Sequence, residues 1–92
     1  MTKVVVRVEV EDIERWKNGF VTHTELFKKQ GVSIAHYGAG DNNKVVAFFE
    51  TNNLSDFMNI MESPETEEAM SHDGIIGGSV EVFVLDSTLD AF

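Results

Sequence analysis

The order in which strand and helix patterns follow one another limits the possible folds of this 92-residue chain more than any other feature. Valines occupy every second position from Val4 to Val10, which predicts a β-strand with one fully apolar face. A helical pattern follows, then two strand patterns joined by a turn, a second helical pattern and a last strand pattern. The sequence therefore predicts the order strand, helix, strand, strand, helix, strand.

The first helical pattern begins after Asp12, a residue type that commonly caps helices. Its apolar residues recur three, four and seven positions apart, at Ile13, Trp16, Phe20 and Phe27. Lys28 and Lys29 suit the last turn of a helix, and Gly31 can adopt the left-handed conformation that often follows it. We predict a single helix between Asp12 and Gly31.

The two central strand patterns are VSIAHYGA at 32–39 and KVVAFFE at 44–50. Between them, GAGDNNK has the glycine and asparagine content of a hairpin turn, which predicts that the two strands pair antiparallel. The last strand pattern, SVEVFVL, spans 79–85 and is followed by a short tail at 86–92.

The second helical region contains the stretch ESPETEEAMSHDG, which is rich in glutamate and includes the adjacent His72 and Asp73. Asn53 and Ser63 are predicted N-caps, and Pro64 suits the first position of a helix. The region is therefore one helix broken at Ser63-Pro64 or two short helices in tandem. Neighbouring residues on a helix diverge by ~100°, which is poor geometry for joint metal ligation. We predict that His72 and Asp73 end a helix and form no metal site.

This order of elements, with crossovers that return over one sheet face, predicts an α+β, ferredoxin-like sandwich as a single domain spanning 1–92. Its four-stranded antiparallel sheet would carry two helices on one face and leave the other face uncovered. The third and fourth strands place large apolar residues on both faces: Val45 and Phe49 opposite Val46 and Phe48, and Val82 and Val84 opposite Phe83 and Leu85. Such an exposed apolar face is abnormal for a monomer, so we predict a homodimer that covers it.

Spaced residues along most of the chain form a recognisable pattern. They are W-x3-F-x2-H-x3-F-x3-G from Trp16 to Gly31, AFFE ending at Glu50, L-x2-F-x5-S-P-E-x3-A-M-x3-G from Leu54 to Gly74, and VEVF in the last strand. Together they resemble the dimeric α/β-barrel superfamily, in particular its small monooxygenase-like and cyclase-like members. The resemblance implies that two protomers face their sheets together into a barrel whose interior often holds a small apolar ligand. Heme-degrading members use an asparagine in the first strand, which this chain lacks, and this departure argues against heme chemistry.

Two histidines are candidate catalytic residues, since histidine exchanges protons near neutral pH. His23 matches the histidine that resembling sequences place on the first helix. It would bind a ligand or accept its proton, or else it would lie at the edge of the core with one ring nitrogen hydrogen-bonded to the backbone or to a carboxylate. His36 is the neighbour of Tyr37 on the second strand, so only one of the two points into the barrel. Alternation from Val32 and Ile34 predicts that His36 lies under the helices and that Tyr37 points into the barrel.

Tyr37, Arg7 and Phe83 are candidate ligand-binding residues of the predicted barrel interior. Tyr37 could donate its hydroxyl to a ligand carbonyl or phenolate, or bond to the partner chain across the interface. Arg7 lies opposite the valine row of the first strand. There it could hold an anionic substrate, or pair with Glu9, Glu81 or a carboxylate of the partner chain.

Charge and composition exclude several classes of function. Seven Lys and Arg against sixteen Asp and Glu give a net charge of −9, and the chain from residue 45 onward holds ten acids and no Lys or Arg. Such a surface repels phosphate backbones and anionic lipid, so we expect no nucleic acid and no membrane partner. The chain has no cysteine, no apolar run near ~20 residues and no secretion-signal pattern. We expect a cytoplasmic protein without a metal or cofactor.

The sequence favours a homodimeric barrel protein that binds a small, largely apolar organic molecule. If it is an enzyme, a cofactor-independent monooxygenase, isomerase or cyclase is expected, in which Tyr37 and Arg7 orient the ligand while His23 or His36 moves a proton. The alternative is a non-catalytic dimeric binding or structural module. Cavity volume separates the two: a closed barrel of under ~100 Å³ per protomer would contradict an enzyme, because ligand pockets typically measure ~300 to 1,000 Å³.

Overall fold

The computed structural model describes residues 2–85, and within this range it describes Ile34 by its backbone alone. Its elements, in chain order, are β1 (Thr2–Glu9), α1 (Ile13–Phe20), α2 (Thr24–Lys29), β2 (Val32–Ala39), β3 (Lys44–Thr51), α3 (Leu54–Met61), α4 (Pro64–His72) and β4 (Glu81–Leu85). The predicted tail at 86–92 and the predicted core position of the Ile34 side chain lie outside the described residues.

The strands form one antiparallel sheet in the order β2-β3-β1-β4. Strands β1 and β3 pair along their whole length, from Thr2 opposite Thr51 to Glu9 opposite Lys44. The core lies on one face of this sheet, where the helices pack against it. This is the strand order of a ferredoxin-like sandwich, so the predicted fold class is confirmed.

The predicted helix starts are confirmed by their capping bonds. Side-chain oxygens of Asp12, Asn53 and Ser63 accept a hydrogen bond from the backbone amide three residues later, at 3.0, 3.0 and 3.3 Å. Pro64 is the first residue of α4, where its missing N–H leaves no helical bond unmade. Of the two predictions for the second helical region, the structure has two short helices in tandem.

The first helical region is also two helices, where the sequence predicted one. The backbone amides of Thr22 and His23 bond to carbonyls only three residues back, Gly19 O at 2.9 Å and Phe20 O at 3.2 Å. Thr22 also donates its hydroxyl to Gly19 O at 2.6 Å. These bonds close α1 in a tight turn, and His23 becomes the N-cap position of α2. The prediction of a single helix, with His23 inside it, is wrong for this reason.

An irregularity in β2 reverses the predicted orientation of two candidate residues. The pairing of β2 with β3 shifts between positions 32 and 34, after which Tyr37 stands opposite Ala47 and His36 opposite Phe48. Ala47 is buried under the helices and Phe48 faces the other way, so Tyr37 lies on the helix side and His36 on the opposite side. The prediction from simple alternation is wrong because one extra residue reverses the phase of every side chain after it.

The helices cover one face of the sheet and leave the other face exposed. Under the helices, the buried apolar residues are Val4, Val6, Val8, Val10, Trp16, Val45, Ala47, Phe49 and Phe57. The other side, which we name the open face, carries Val5, Arg7, His36, Val46, Phe48, Glu81, Phe83 and Leu85. On it Val46, Phe83 and Leu85 are 41%, 48% and 36% exposed. Apolar residues therefore lie on both faces of β3 and β4, as predicted.

Candidate functional site

A cavity of about 80 Å³ lies between the helices and the sheet in the described part of the chain. Its wall is mainly apolar, and its largest side chains are Trp16, Phe20, Phe27, Phe49, Met61 and Met70. Four polar side chains also line it: His23, Gln30, Thr66 and Asp73. A polar group in such a wall either forms hydrogen bonds within the protein or is available to a ligand.

Gln30 and Thr66 are engaged in holding the helices together. Gln30 donates its side-chain amide to Phe57 O at 3.2 Å, and its backbone carbonyl accepts the Thr51 hydroxyl at 2.6 Å. Thr66 donates its hydroxyl to Ile60 O, across the break between α3 and α4. These bonds tie α2, α3, α4 and the end of β3 to one another, so the two residues have structural roles.

His23 and Asp73 form the remaining polar part of the cavity wall. Nε2 of His23 lies 2.7 Å from Oδ2 of Asp73. His23 lies in the turn between α1 and α2, and Asp73 is the C-cap of α4. The contact therefore joins the α1–α2 turn to the C-terminal end of α4. Asp73 is 3% exposed and the His23 side chain is 20% exposed. A carboxylate and an imidazole at this distance form a strong hydrogen bond.

Gly19 in α1 makes room for the Asp73 carboxylate. A Cβ atom at position 19 would overlap Asp73 Oδ1. A larger residue would push the carboxylate away from His23 or separate α1 from α4. Gly19 has no positive φ, so glycine is needed here for close approach and not for its backbone freedom.

Asp73 occupies an unfavourable electrostatic position. It lies at the C-terminal end of α4, where the helix dipole is negative and an acid is destabilising. Arg15 binds the same helix end by donating Nε–H to His72 O at 2.9 Å. Within residues 2–85, the hydrogen-bond partners of the Asp73 carboxylate are His23 and, at 3.3 Å, Nδ1 of the exposed His72. This buried carboxylate therefore depends on imidazoles for its hydrogen bonds.

The five predicted site residues are divided between the two faces of the sheet. His23 and Tyr37 lie on the helix side. The ring of Tyr37 packs against Trp16 and Phe20, with centroid distances of 5.4 and 4.8 Å. Tyr37 therefore lies on the helix side of the sheet, where its ring packs against α1. The prediction that it points into the barrel, on the open face, is wrong.

Arg7, His36 and Phe83 lie on the open face. Nη1 of Arg7 is 3.9 Å from Oε2 of Glu81, and the ring centroid of His36 is 6.5 Å from that of Phe48. The orientation predicted for Arg7, opposite the valine row, is confirmed. Because the sheet lies between the two groups, the residues predicted from sequence cannot act together on one ligand within one protomer.

Asp73 and Gly19 were missed by the sequence reasoning. His72 and Asp73 do end α4, as predicted, but nothing in the sequence around Asp73 indicates its contact with His23, which lies 50 positions away. One signal was present. An acid at the negative end of a helix opposes the dipole, and a local inconsistency of this kind often marks a residue with another role.

Among residues 2–85, no three His, Cys, Asp or Glu side chains stand close enough together to hold a metal ion. Over the same range, none of the helices has the length and apolar character needed to cross a bilayer.

The fold is similar to solved structures although no family model and no curated protein matches the chain. SnoaB, a cofactor-independent oxygenase from Streptomyces nogalater, gives a TM-score of 0.74 at 12% identity over 98% of this chain and 95% of that one. A Bordetella bronchiseptica protein assigned to the antibiotic biosynthesis monooxygenases gives 0.73 at 10% identity over 96% and 97%. A Nitrosomonas europaea protein of the same assignment gives 0.67 at 10% identity over 97% and 100%.

These neighbours confirm the resemblance for the fold. The chain has the ferredoxin-like fold of antibiotic biosynthesis monooxygenase domain proteins, along nearly its whole length. Identities this low establish the fold alone, because one fold hosts many activities.

Proposed function

We propose that this protein binds a compact, largely apolar organic molecule between its helices and its sheet and takes a proton from it. The proposal is carried by His23, an imidazole in a mainly apolar cavity wall whose Nδ1 has no protein partner among residues 2–85. Histidine is the side chain best suited to accept a proton near neutral pH. The fold shared with SnoaB, a cofactor-independent oxygenase, supports the same class of chemistry.

The reaction class is that of a cofactor-independent monooxygenase, isomerase or cyclase. Each begins when an acidic C–H or O–H bond of the ligand breaks: the proton passes to the imidazole and the electron pair stays on the ligand as an enolate or phenolate. In an isomerase or cyclase this anion is protonated again or attacks a carbonyl of the same molecule. In a monooxygenase the anion combines with dioxygen to form a C–O bond and a peroxide. The peroxide takes back the proton and loses water, which leaves one oxygen atom on the ligand as a carbonyl. A cavity wall that excludes water strengthens the hydrogen bonds that hold such an anion.

The volume of the cavity limits the size of the ligand that it can enclose. Its volume of about 80 Å³ is well below the roughly 300–1,000 Å³ of pockets that enclose drug-sized molecules. A ligand of more than a few heavy atoms must therefore displace the short helices α1 and α2 or extend outward past His23, whose side chain is partly exposed. The same small volume favours a second candidate function, a non-catalytic dimeric module in which the cavity is only a gap in the packing.

We also propose that the protein is a homodimer through its open face. Support comes from the exposed Val46, Phe83 and Leu85, which form an apolar surface unusual for a monomer. A second copy seated on this face would cover them and enclose Arg7 and His36 between two sheets. In that arrangement Arg7, His36 and Phe83 would line a second space, the barrel interior, where they could contact a ligand.

Trp16 gives a direct test of binding, because it is the only tryptophan of the chain and it lines the cavity. We expect 2-indanone, a compact ketone with acidic C–H bonds, to change Trp16 fluorescence in a saturable way. Ala69→Leu adds bulk to the cavity wall and should weaken binding. Val21→Leu changes an exposed side chain outside the cavity and is the matched control.

Proton transfer is measured separately, by ¹H NMR of deuterium exchange from D₂O into 2-indanone. Wild-type protein should accelerate the exchange about 100-fold relative to His23→Gln, the lower range for a general base, while both proteins bind the ketone. Saturable binding without faster exchange would support the non-catalytic module. No Trp16 response to this ketone, or to a compact phenol tested beside it, would contradict the proposed function.

A further inference from the structure

We infer that Asp73 is a positioning residue for His23: its carboxylate holds the imidazole in the Nε2–H tautomer, so that Nδ1 is the nitrogen that accepts the ligand's proton. The inference rests on the proposed function for its chemical consequence. Its structural content, the tautomer of one ring, stands on the geometry of the described residues and can be tested without any ligand.

The hydrogen bond itself determines which nitrogen carries the proton. Oδ2 of Asp73 lies 2.7 Å from Nε2 of His23, and an ionised carboxylate can only accept hydrogen bonds. Nε2 must then be the donor. A neutral imidazole has one N–H, so its lone pair available for proton transfer lies on Nδ1.

Nδ1 of His23 is also accessible. Among residues 2–85, no buried side-chain nitrogen or oxygen lacks a hydrogen-bond partner. Nδ1 has no such partner, so it is not among the buried atoms. The ring therefore has one nitrogen fixed inside the protein and one nitrogen that a ligand or a water molecule can reach.

Contacts on several sides hold the Asp73 carboxylate in place. Oδ2 binds His23, Oδ1 lies 3.3 Å from Nδ1 of His72, and Oδ1 lies so close to Gly19 that a Cβ there would overlap it. Arg15 fixes the helix end that carries Asp73 by donating to His72 O at 2.9 Å. A carboxylate fixed in this way limits the rotation of the imidazole it binds, which is the arrangement expected of a base held ready for reaction.

The position of Asp73 argues against a purely stabilising role. An acid at the C-terminal end of a helix opposes the dipole, and burial of a carboxylate carries a further cost in lost hydration. An apolar residue or an asparagine at this helix end would avoid both costs. The carboxylate gives in return a defined orientation and tautomer for His23.

The direct test is the ¹⁵N NMR spectrum of the His23 ring in the ligand-free protein, at a pH where the ring is neutral. We expect Nε2 to resonate as a protonated nitrogen and Nδ1 as an unprotonated one. In Asp73→Asn, whose side-chain amide can donate to Nε2, a substantial share of the rings should carry the proton on Nδ1. Asp41→Asn makes the same chemical change at an exposed position of the β2–β3 hairpin and should leave the His23 pattern unchanged.

A second variant keeps the test decisive if Asp73→Asn does not fold. Gly19→Ala retains the carboxylate but displaces it, and it should lower the share of rings that carry the proton on Nε2. A wild-type His23 ring with its proton on Nδ1, or a folded Asp73 variant with an unchanged pattern, would overturn the inference.

The exchange assay separates this inference from the proposed function. Asp73→Asn should lower the rate of deuterium exchange into 2-indanone by about 100-fold, with a smaller effect on the binding curve of the ketone. If wild type shows the Nε2–H tautomer but does not bind or exchange the ketone, the proposed function fails and the positioning of the ring stands. If wild type exchanges the ketone while its ring has the opposite tautomer, the proposed function stands and the role of Asp73 is refuted.

Discussion

Alanine in place of Gly19 should destabilise this protein, although alanine ordinarily stabilises a helix. Gly19 lies inside α1, and glycine at such a position costs about 0.5–1 kcal/mol relative to alanine. The added Cβ, however, would overlap Oδ1 of Asp73. The carboxylate would have to turn away, and its hydrogen bond to His23 would be lost.

The lost hydrogen bond costs more than the alanine gains in helix propensity, so the net effect on stability is negative. A hydrogen bond that involves a charged group contributes about 1.5–3 kcal/mol. After the helix gain of about 0.5–1 kcal/mol is subtracted, the free energy of unfolding should fall by about 0.5–2.5 kcal/mol. For a chain of this length, that corresponds to a decrease in Tm of roughly 2–20 °C.

Urea and thermal unfolding followed by circular dichroism, at one fixed protein concentration, measure this loss. Gly77→Ala is the matched control, because a Cβ there meets nothing within 4 Å, and it should change stability by less than about 0.5 kcal/mol. In an Asp73→Ala background the obstacle is gone, so Gly19→Ala should instead stabilise by about 0.5–1 kcal/mol. If Gly19→Ala stabilises the wild-type protein, the close contact between α1 and the carboxylate does not exist.

Three further changes test the fold and its assembly. Phe57→Ala removes a fully buried ring and should lower the free energy of unfolding by about 3–5 kcal/mol in urea; a loss under about 1 kcal/mol would contradict the described core. Asn53→Ala removes the cap of α3 and should cost about 1 kcal/mol by the same assay, and an unchanged midpoint would contradict the capping bond. Phe83→Glu places a charge on the open face and should convert a dimer into a folded monomer in light scattering; a wild-type protein that is already monomeric would refute the proposed dimer.

Local chemistry made much of the fold predictable from the sequence. Helix caps act over three residues, so Asn53 and Ser63 could be identified from their types and their positions before apolar runs. The hairpin between β2 and β3 was predictable for a similar reason, since Asn42 and Asn43 adopt the left-handed φ values of 60° and 57° that asparagine tolerates. Alternation of apolar residues also predicted which side of β1 faces the core, whereas β3 is apolar on both sides and its orientation was left open.

The candidate site was less predictable because its geometry depends on contacts between distant parts of the chain. One shift of register near the start of β2 placed His36 and Tyr37 on the opposite faces from those predicted by alternation. No residue type in that strand indicates the shift. The tight turn after α1 placed His23 at a helix start, which a continuous helical wheel cannot represent. The pairing of His23 with Asp73 follows only after both helical regions are packed on the sheet.

The location of the bound ligand tests the central claim most directly, and isotope-filtered NOEs between 2-indanone and methyl-labelled protein can measure it. Met61 and Met70 line the cavity between helices and sheet, whereas Val46 lies on the open face. We expect NOEs from the ketone to the methyl groups of Met61 and Met70. NOEs to Val46, with none to the two methionines, would place the ligand on the other side of the sheet and contradict a site built around His23.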